Sequence, residues 1–396
     1  LNSFLLSDSA QAALLHLQEI DLADENTLSL LVTLRRSFSA EQAGALLSLA
    51  RLRKRAITKF PQADRMFFSA EALEQATAWP IALLRAERLA AAAPMGVLLD
   101  LGCGIGGDTL ALAQQRSVIA YERDADRLWM ARANVGAVHL SERVDFRLAD
   151  WVEELAGGHL PHASAAFVDP VRRAHGKRIF RLEDLIPPLS MILRVRECVP
   201  VLAVKLMAGV DDRELPEDAG LEFVSHEGVC KEAVLWLGAP FGAQRWASVH
   251  TGKEWRTVLA SGRRAAVGAL AAPCVLYEPD PAVIRSGALA ELCEQLECHL
   301  FDQQIAYLIG DHLHTTPFAH SFRIHEVHRF GLKLLNQRLI DLEIGQVELK
   351  RRGFPVEPEA MRARLRLAKG NRRAVVFLTR RGAEHLMLIG ERVAAE

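Results

Sequence analysis

An open, mostly parallel α/β sheet, with helices ahead of it and a small α+β module behind it, is the architecture the sequence predicts, on three observations. Between residues 97 and 206, short apolar runs alternate with amphipathic stretches of helix length, the pattern of strands covered on both faces by crossover helices. The first run, Val97-Leu-Leu-Asp-Leu101, breaks into four glycines within six residues (Gly102, Gly104, Gly106 and Gly107), as a buried strand does when it turns sharply into a helix beside a ligand. After residue 238 the alternation fades, and Tyr277-Glu-Pro-Asp-Pro281 reads as a punctuated hinge.

Taken in order, residues 1–93 carry apolar spacings of three and four (Leu5, Ala12, Leu15 and Ile20, then 28–34 and 43–52) with few turn residues, and predict a helical domain or lid. Within it, the basic run 51–59 is followed by Phe60-Pro61 and by Met66-Phe67-Phe68-Ser69. Two readings fit that stretch: a solvated helix face with a core aromatic pair, or a phosphate-binding patch in which Phe67 and Phe68 stack on substrate. Ser69 is placed to cap the next helix.

Strands are then expected at 97–101, 117–121, 144–148, 165–168 and 201–206, with helices at 107–115 and 125–135 between the first three. Runs 221–225 and 233–237 read as an antiparallel pair closing the sheet, and 246–271 holds few strong apolar runs. Beyond it come a helix over 282–296, strands at 322–327 and 346–350, a helix over 357–367, and strands at 374–379 and 386–389. The expected domains are 1–93, 94–270 and 271–396.

At 396 residues, half hydrophobic and 24% charged, the chain can bury substantial cores. Its six cysteines form no C-x-x-C pair, and neither a secretory signal nor an apolar run of membrane-spanning length appears, which points to a reducing cytoplasm. A net charge of −1 gives no global attraction to nucleic acid, so binding of that kind falls to local patches. His299, His312, His314, His320, His325 and His328 crowd one region with Cys293 and Cys298, yet without close ligand-pair spacing beyond His312-x-His314, so no metal is expected. Cys103 has no basic partner nearby in sequence and reads as a small turn residue, not a nucleophile.

Gly102-x-Gly104-x-x-Gly107 fits a dinucleotide fingerprint as well as a methyl-donor loop. What separates the two is a carboxylate at the end of each of three successive strands: Asp100 before the turn, Glu122 after the second strand, Asp150 after the third. These line the carboxyl edge, where open α/β sheets bind ligands. An acidic rim suits the amino group, ribose and adenine of S-adenosylmethionine better than a pyrophosphate, which favours helix N–H groups with few carboxylates beside them. The fourth strand ends in Asp169-Pro170-Val171-Arg172-Arg173, where the Asp169 carboxylate and Pro170 carbonyl can orient an attacking amine. This is similar to the Asp-Pro-Pro-aromatic motif of amino-directed methyltransferases, with Val171 and Arg172 in place of the second proline and the aromatic.

Phe67-Phe68-Ser69, the loop Leu101 to Thr109 and the Asp169-Pro170 turn together resemble the bacterial relatives of trimethylguanosine synthase, and the chain from Tyr277 resembles the THUMP-like domain that follows them. The resemblance implies a Rossmann-like class I methyltransferase sheet with an antiparallel last strand, and S-adenosylmethionine as cofactor. It implies cofactor contacts at Asp100, Gly102, Gly104, Glu122 and Asp150, to which Cys103, Gly107, Asp108, Arg123 and Trp151 are added as their neighbours. Asp169 with Pro170 is implied as the catalytic position. Phe67, Phe68, Arg172 and Arg173 are expected on the substrate side. The expected partner is RNA, methylated on a base amine, since THUMP domains are associated with RNA and the last sixty-odd residues are rich in arginine. Two alternatives stay open: an RNA-binding scaffold with little turnover, and a methyltransferase acting on a small molecule or protein.

Overall fold

The computed structural model describes residues 1–171, 173–174, 177–178 and 181–393. The chain divides into two compact units, Leu1–Gly220 with Val234–Gly242, and Leu221–Ala233 with Ala243–Glu396. No helix among the described residues is long and apolar enough to cross a membrane.

The first unit opens with helices α1 (Asn2–Leu5), α2 (Asp8–Gln18), α3 (Thr27–Leu34), α4 (Ala40–Ala56), α5 (Ala70–Gln75) and α6 (Trp79–Ala92). Polar residues start them where the chain turns: Ser7 accepts from the Ala10 amide, Ser39 and Gln42 form a reciprocal capping box, and Ser69 accepts from the Ala72 amide as expected. There follow β1 (Leu98–Leu101), α7 (Gly107–Gln115), β2 (Val118–Glu122), α8 (Ala125–Ala137), β3 (Val144–Leu148), α9 (Trp151–Ala156), β4 (Ala165–Val168), the two-residue strands β5 (Arg173–Ala174) and β6 (Lys177–Arg178), α10 (Leu189–Leu193), β7 (Leu202–Leu206), β8 (Gly220–His226) and β9 (Val229–Leu237). Strands β7, β4, β1, β2 and β3 lie side by side and all parallel, with β9 beside β7. This is the predicted doubly wound sheet.

The helices before β1 do not form a core of their own. Leu14, Leu46, Phe60, Met66 and Phe67 are buried in one continuous cluster with Ile105 and Leu110 of the first crossover and Val135 of α8. The apolar faces of α2 and α4 thus share one core with the crossover helices of the sheet, and residue 93 falls inside a single compact unit.

In the second unit, β8 and the start of β9 are joined by Glu227-Gly228, both at positive φ, the geometry of a two-residue hairpin turn. β10 (Arg245–His250) runs parallel to β8, and β11 (Trp255–Ala260) antiparallel to β10. These two strands occupy the stretch expected to be poor in regular structure. Their signal is weak because the buried face of β10 includes Ser248, whose hydroxyl is satisfied by Thr257 at 3.3 Å. The remainder comprises β12 (Cys274–Pro279), α11 (Pro281–Ser286), α12 (Leu289–Gln295), β13 (His299–Asp302), β14 (Ile305–Gly310), β15 (Ala319–Arg329), α13 (Leu332–Asp341), β16 (Ile344–Arg351), α14 (Pro358–Arg362), β17 (Arg372–Arg381) and β18 (Glu384–Arg392). Their strands order as β13-β14-β12-β15-β18-β17-β16. Along β17, Val375 and Phe377 enter one core cluster while Ala374, Val376 and Leu378 enter another, so both faces of this sheet are covered.

Candidate active site

The register of the parallel strands assembles the site. β1 pairs Leu101 with Tyr121 of β2 and with Val168 of β4, and β4 pairs Val168 with Val204 of β7. One residue further, the chain places Glu122, Gly102, Asp169 and Lys205 in a single row at the carboxyl edge. Asp150 follows β3 two residues past Leu148, the partner of Glu122.

Gly102, Gly104 and Gly106 have φ of +93°, +56° and +82°, conformations that explain why glycine recurs there. The amides of Gly102 and Cys103 donate to the Tyr121 carbonyl at 3.0 and 2.9 Å, which ties the loop to β2. A Cβ at Gly106 would come within 3.2 Å of Ala131 on α8, and one at Gly107 within 3.3 Å of the Phe60 ring. Phe60 precedes β1 in the chain, so the helical segment braces the glycine loop.

Each carboxylate of the rim is already oriented by local hydrogen bonds. Glu122 accepts from the amides of Gly104 and Asp124, both at 2.9 Å. Asp150 caps α9 by accepting from the Val152 amide at 2.9 Å and lies 3.6 Å from Arg123, while Trp151 behind it is buried. Asp100 is only 1% exposed and accepts from the Thr109 hydroxyl at 2.5 Å. Burial pushes its carboxyl up to about 8, Asp108 and Asp169 add to the shift, and Thr109 and Arg85 oppose it. Asp108 pairs with Arg85 of α6, whose guanidinium lies 4.2 Å from the centre of the Phe167 ring. Burial also drives the Cys103 thiol well above its ordinary value, reinforced by Asp100 and Glu122, which disfavours the thiolate.

Asp169 leaves β4 with one carboxylate oxygen 2.7 Å from the Lys205 ammonium, which also donates to Thr77 at 2.9 Å. Pro170 follows and is buried. Lys205, Thr77 and Arg85 are absent from the expectations set by the sequence. The signal for Lys205 and Arg85 was a single charge inside an apolar run, Val201-Leu-Ala-Val-Lys205-Leu and Ile81-Ala-Leu-Leu-Arg85-Ala, which must find a partner if the run is buried.

The substrate-side expectations fare differently. Phe67 and Phe68 are core rings: Phe67 packs edge-on against Trp129 at 5.3 Å beneath Arg53, and Phe68 tilts against Phe60 at 5.9 Å. At 4% and 7% exposure neither presents a face for a base to stack on, because the apolar demand of the shared core takes both. Arg172 lies outside the described residues, and Arg173 sits in β5 paired with Arg178 of β6.

In the second unit many of the basic side chains expected to meet RNA serve the fold. Arg351 pairs with Glu357 and Lys350 with Glu278, while Arg352, Arg362, Arg372 and Arg381 cap carbonyls of Ala306, Val347, Leu342 and Gly268. Arg364, Arg366 and Lys369, between α14 and β17, are exposed. Of the crowded histidines, His299 bonds the Ala269 carbonyl and His328 bonds Glu326 through their rings, and the backbone at His312 and His314 is tied to the Tyr277 hydroxyl. No three His, Cys, Asp or Glu side chains converge as a metal site among the described residues.

Known proteins resemble this chain. A family model described as RNA cap guanine-N2 methyltransferase matches residues 95–171, one described as THUMP domain-like matches 319–392, and a domain of unknown function matches 2–56. Two curated relatives, uncharacterized S-adenosylmethionine-dependent methyltransferases of Mycobacterium tuberculosis strains CDC 1551 / Oshkosh and ATCC 25618 / H37Rv, are each 33% identical over 367 residues, covering 89% of this chain and 96% of their own. The crystal structure of a candidate methyltransferase from Porphyromonas gingivalis W83 has the same fold, with a TM-score of 0.73 at 18% identity over 94% of this chain and 99% of that one. A glycine loop held open at the carboxyl edge, an acidic rim and a full-length relative agree: this chain belongs to the S-adenosylmethionine-dependent methyltransferases.

Proposed function

We propose that the acceptor of the methyl group is a base amine of an RNA, and that Asp169 with Pro170 orients it. The observation that carries the reading is the position of Asp169, one register step past β4 and directly across from Gly102 of the cofactor loop, whose Cβ position is 3.9 Å from the Asp169 carbonyl. The carboxylates fit the methyl donor: Glu122, with both oxygens aligned by backbone amides, takes the ribose hydroxyls, Asp100 takes the amino group, and Asp150 with Arg123 and Trp151 borders the adenine. S-adenosylmethionine, when bound, supplies a sulfonium methyl: the N–C bond forms as the C–S bond breaks, sulfur keeps the electron pair, and the surplus proton on nitrogen leaves to water. Asp169 accepts a hydrogen bond from the amine and stabilises the positive charge that grows on nitrogen. The family-model matches to an RNA cap methyltransferase and to a THUMP-like domain support RNA as the substrate class.

A second reading, a small-molecule or protein acceptor, is favoured by one observation: much of the C-terminal arginine set is spent on internal ion pairs and carbonyl caps. The test is the same for both. RNA from cells with and without the gene is digested to nucleosides and compared by mass spectrometry, and purified protein is incubated with radiolabelled S-adenosylmethionine and RNA from the deletion strain. One methylated nucleoside is expected to vanish and to be restored in vitro. Unchanged nucleosides, with no label entering RNA, would overturn the RNA assignment and leave the second reading.

A further inference from the structure

Lys205 stands in the row at the carboxyl edge and is not among the residues assigned to the cofactor. It sits in β7 between apolar neighbours, is 4% exposed, and places its ammonium 2.7 Å from Asp169 and 2.9 Å from Thr77. Burying an ammonium is costly unless its hydrogens find partners, and here one partner is the carboxylate of the acceptor position. The adjacency follows from strand register, since Val168 pairs with Val204 and the next residues on each strand are Asp169 and Lys205. Thr77 comes from the segment just ahead of α6, so the N-terminal part of the chain completes this arrangement.

We propose that Lys205 is the positioning residue of methyl transfer: tethered by Thr77, it holds the Asp169 carboxylate ionised and in one orientation toward the acceptor. The inference rests on the reading of Asp169 as the acceptor-orienting group. A carboxylate held by a cation is a good hydrogen-bond acceptor and a poor proton acceptor, which suits an amine already nucleophilic as the neutral species and not a hydroxyl that must be deprotonated. Among the described residues, the charged groups that bear on it include Lys205 from β7 and Asp100 from β1, with Asp100 in turn coupled to Asp108 of α7 and Arg85 of α6.

Two measurements on the full-length protein test this. In thermal unfolding at neutral pH, Asp169→Asn, which strands the buried ammonium, lowers the melting temperature, and adding Lys205→Met to it recovers much of the loss. A double variant no more stable than Asp169→Asn overturns the pairing. In methyl transfer from radiolabelled S-adenosylmethionine to a deletion-strain extract, Lys205→Met keeps S-adenosylhomocysteine affinity within about twofold while kcat falls roughly tenfold to a hundredfold. Its acid limb moves up by about one pH unit or more, because the cation that favoured the ionised Asp169 is gone, and Lys205→Arg restores the limb. An unmoved limb, or a loss of cofactor affinity as large as the loss of rate, overturns the positioning role. If the label enters protein or small molecules and not RNA, the RNA acceptor reading falls, and the same pH series on that fraction judges Lys205 separately.

Discussion

Asp100 shows how a single residue couples the site to stability. In the unfolded chain its carboxyl ionises near 3.8, whereas burial in the fold raises it to about 8. Between those values the folded state binds more protons than the unfolded state, so this group's contribution to stability falls as pH rises from about 4 to 8 and is fully unfavourable above 8. Asp100→Asn, which can still accept from Thr109, should accordingly raise the melting temperature little at pH 5 and clearly at pH 8.5. Equal shifts at the two values would show that the carboxyl is not protonated in the folded protein. The acidic rim was legible because a carboxylate at three successive strand ends is a pattern in the sequence itself. Lys205 and Arg85 were not, because a lone charge in an apolar run announces that a partner exists without naming it, and their partners Thr77 and Asp108 lie 128 and 23 residues away.

Among the elements, the loop between β1 and α7 is the most constrained. Gly106 combines a φ of +82° with a Cβ position 3.2 Å from Ala131, whereas Gly104, at +56°, has open space around its Cβ. Gly106→Ala should therefore cost about 1–3 kcal/mol and Gly104→Ala nearer the low end of that range, since the first adds a steric clash to the backbone strain. Urea denaturation of the two variants checks this, and matching midpoints would remove the packing of α8 against the loop as a cause. The five parallel strands β1, β2, β3, β4 and β7 followed from sequence to within a residue at each end, because most of them are continuous apolar runs. Elements of the second unit were less legible. The helix expected over 282–296 divides at Gly287, whose φ of +83° ends α11 in a left-handed cap before α12 begins. β13, β14 and α13 lay in stretches to which the sequence reading assigned no element, and β10 and β11 in one read as poor in apolar runs.

On the scale of the whole first unit, the decisive feature is the core shared by the N-terminal helices and the first crossovers. A chain truncated to begin at Pro94 would lose Leu14, Leu46, Phe60, Met66 and Phe67, all buried, together with Thr77 and Arg85. At about 1.5–3 kcal/mol per large side chain, that burial is comparable to the roughly 5–15 kcal/mol that stabilises a typical domain. The truncated chain should show no cooperative melt and no S-adenosylhomocysteine binding by calorimetry. A truncated chain that melts near the full-length temperature would make the helices an independent domain after all.

By itself the sequence determined the parallel strands, the turn at their carboxyl edge and the carboxylates at their ends, because periodicity, glycine and charge at strand ends are local properties of the chain. Only the tertiary structure decided which residues meet: that Phe67 and Phe68 fill a core, that many C-terminal arginines satisfy carbonyls and carboxylates of their own unit, and that Lys205 stands beside Asp169. Those outcomes depend on strand register and on which apolar face closes against which, and neither is written in any short stretch of residues.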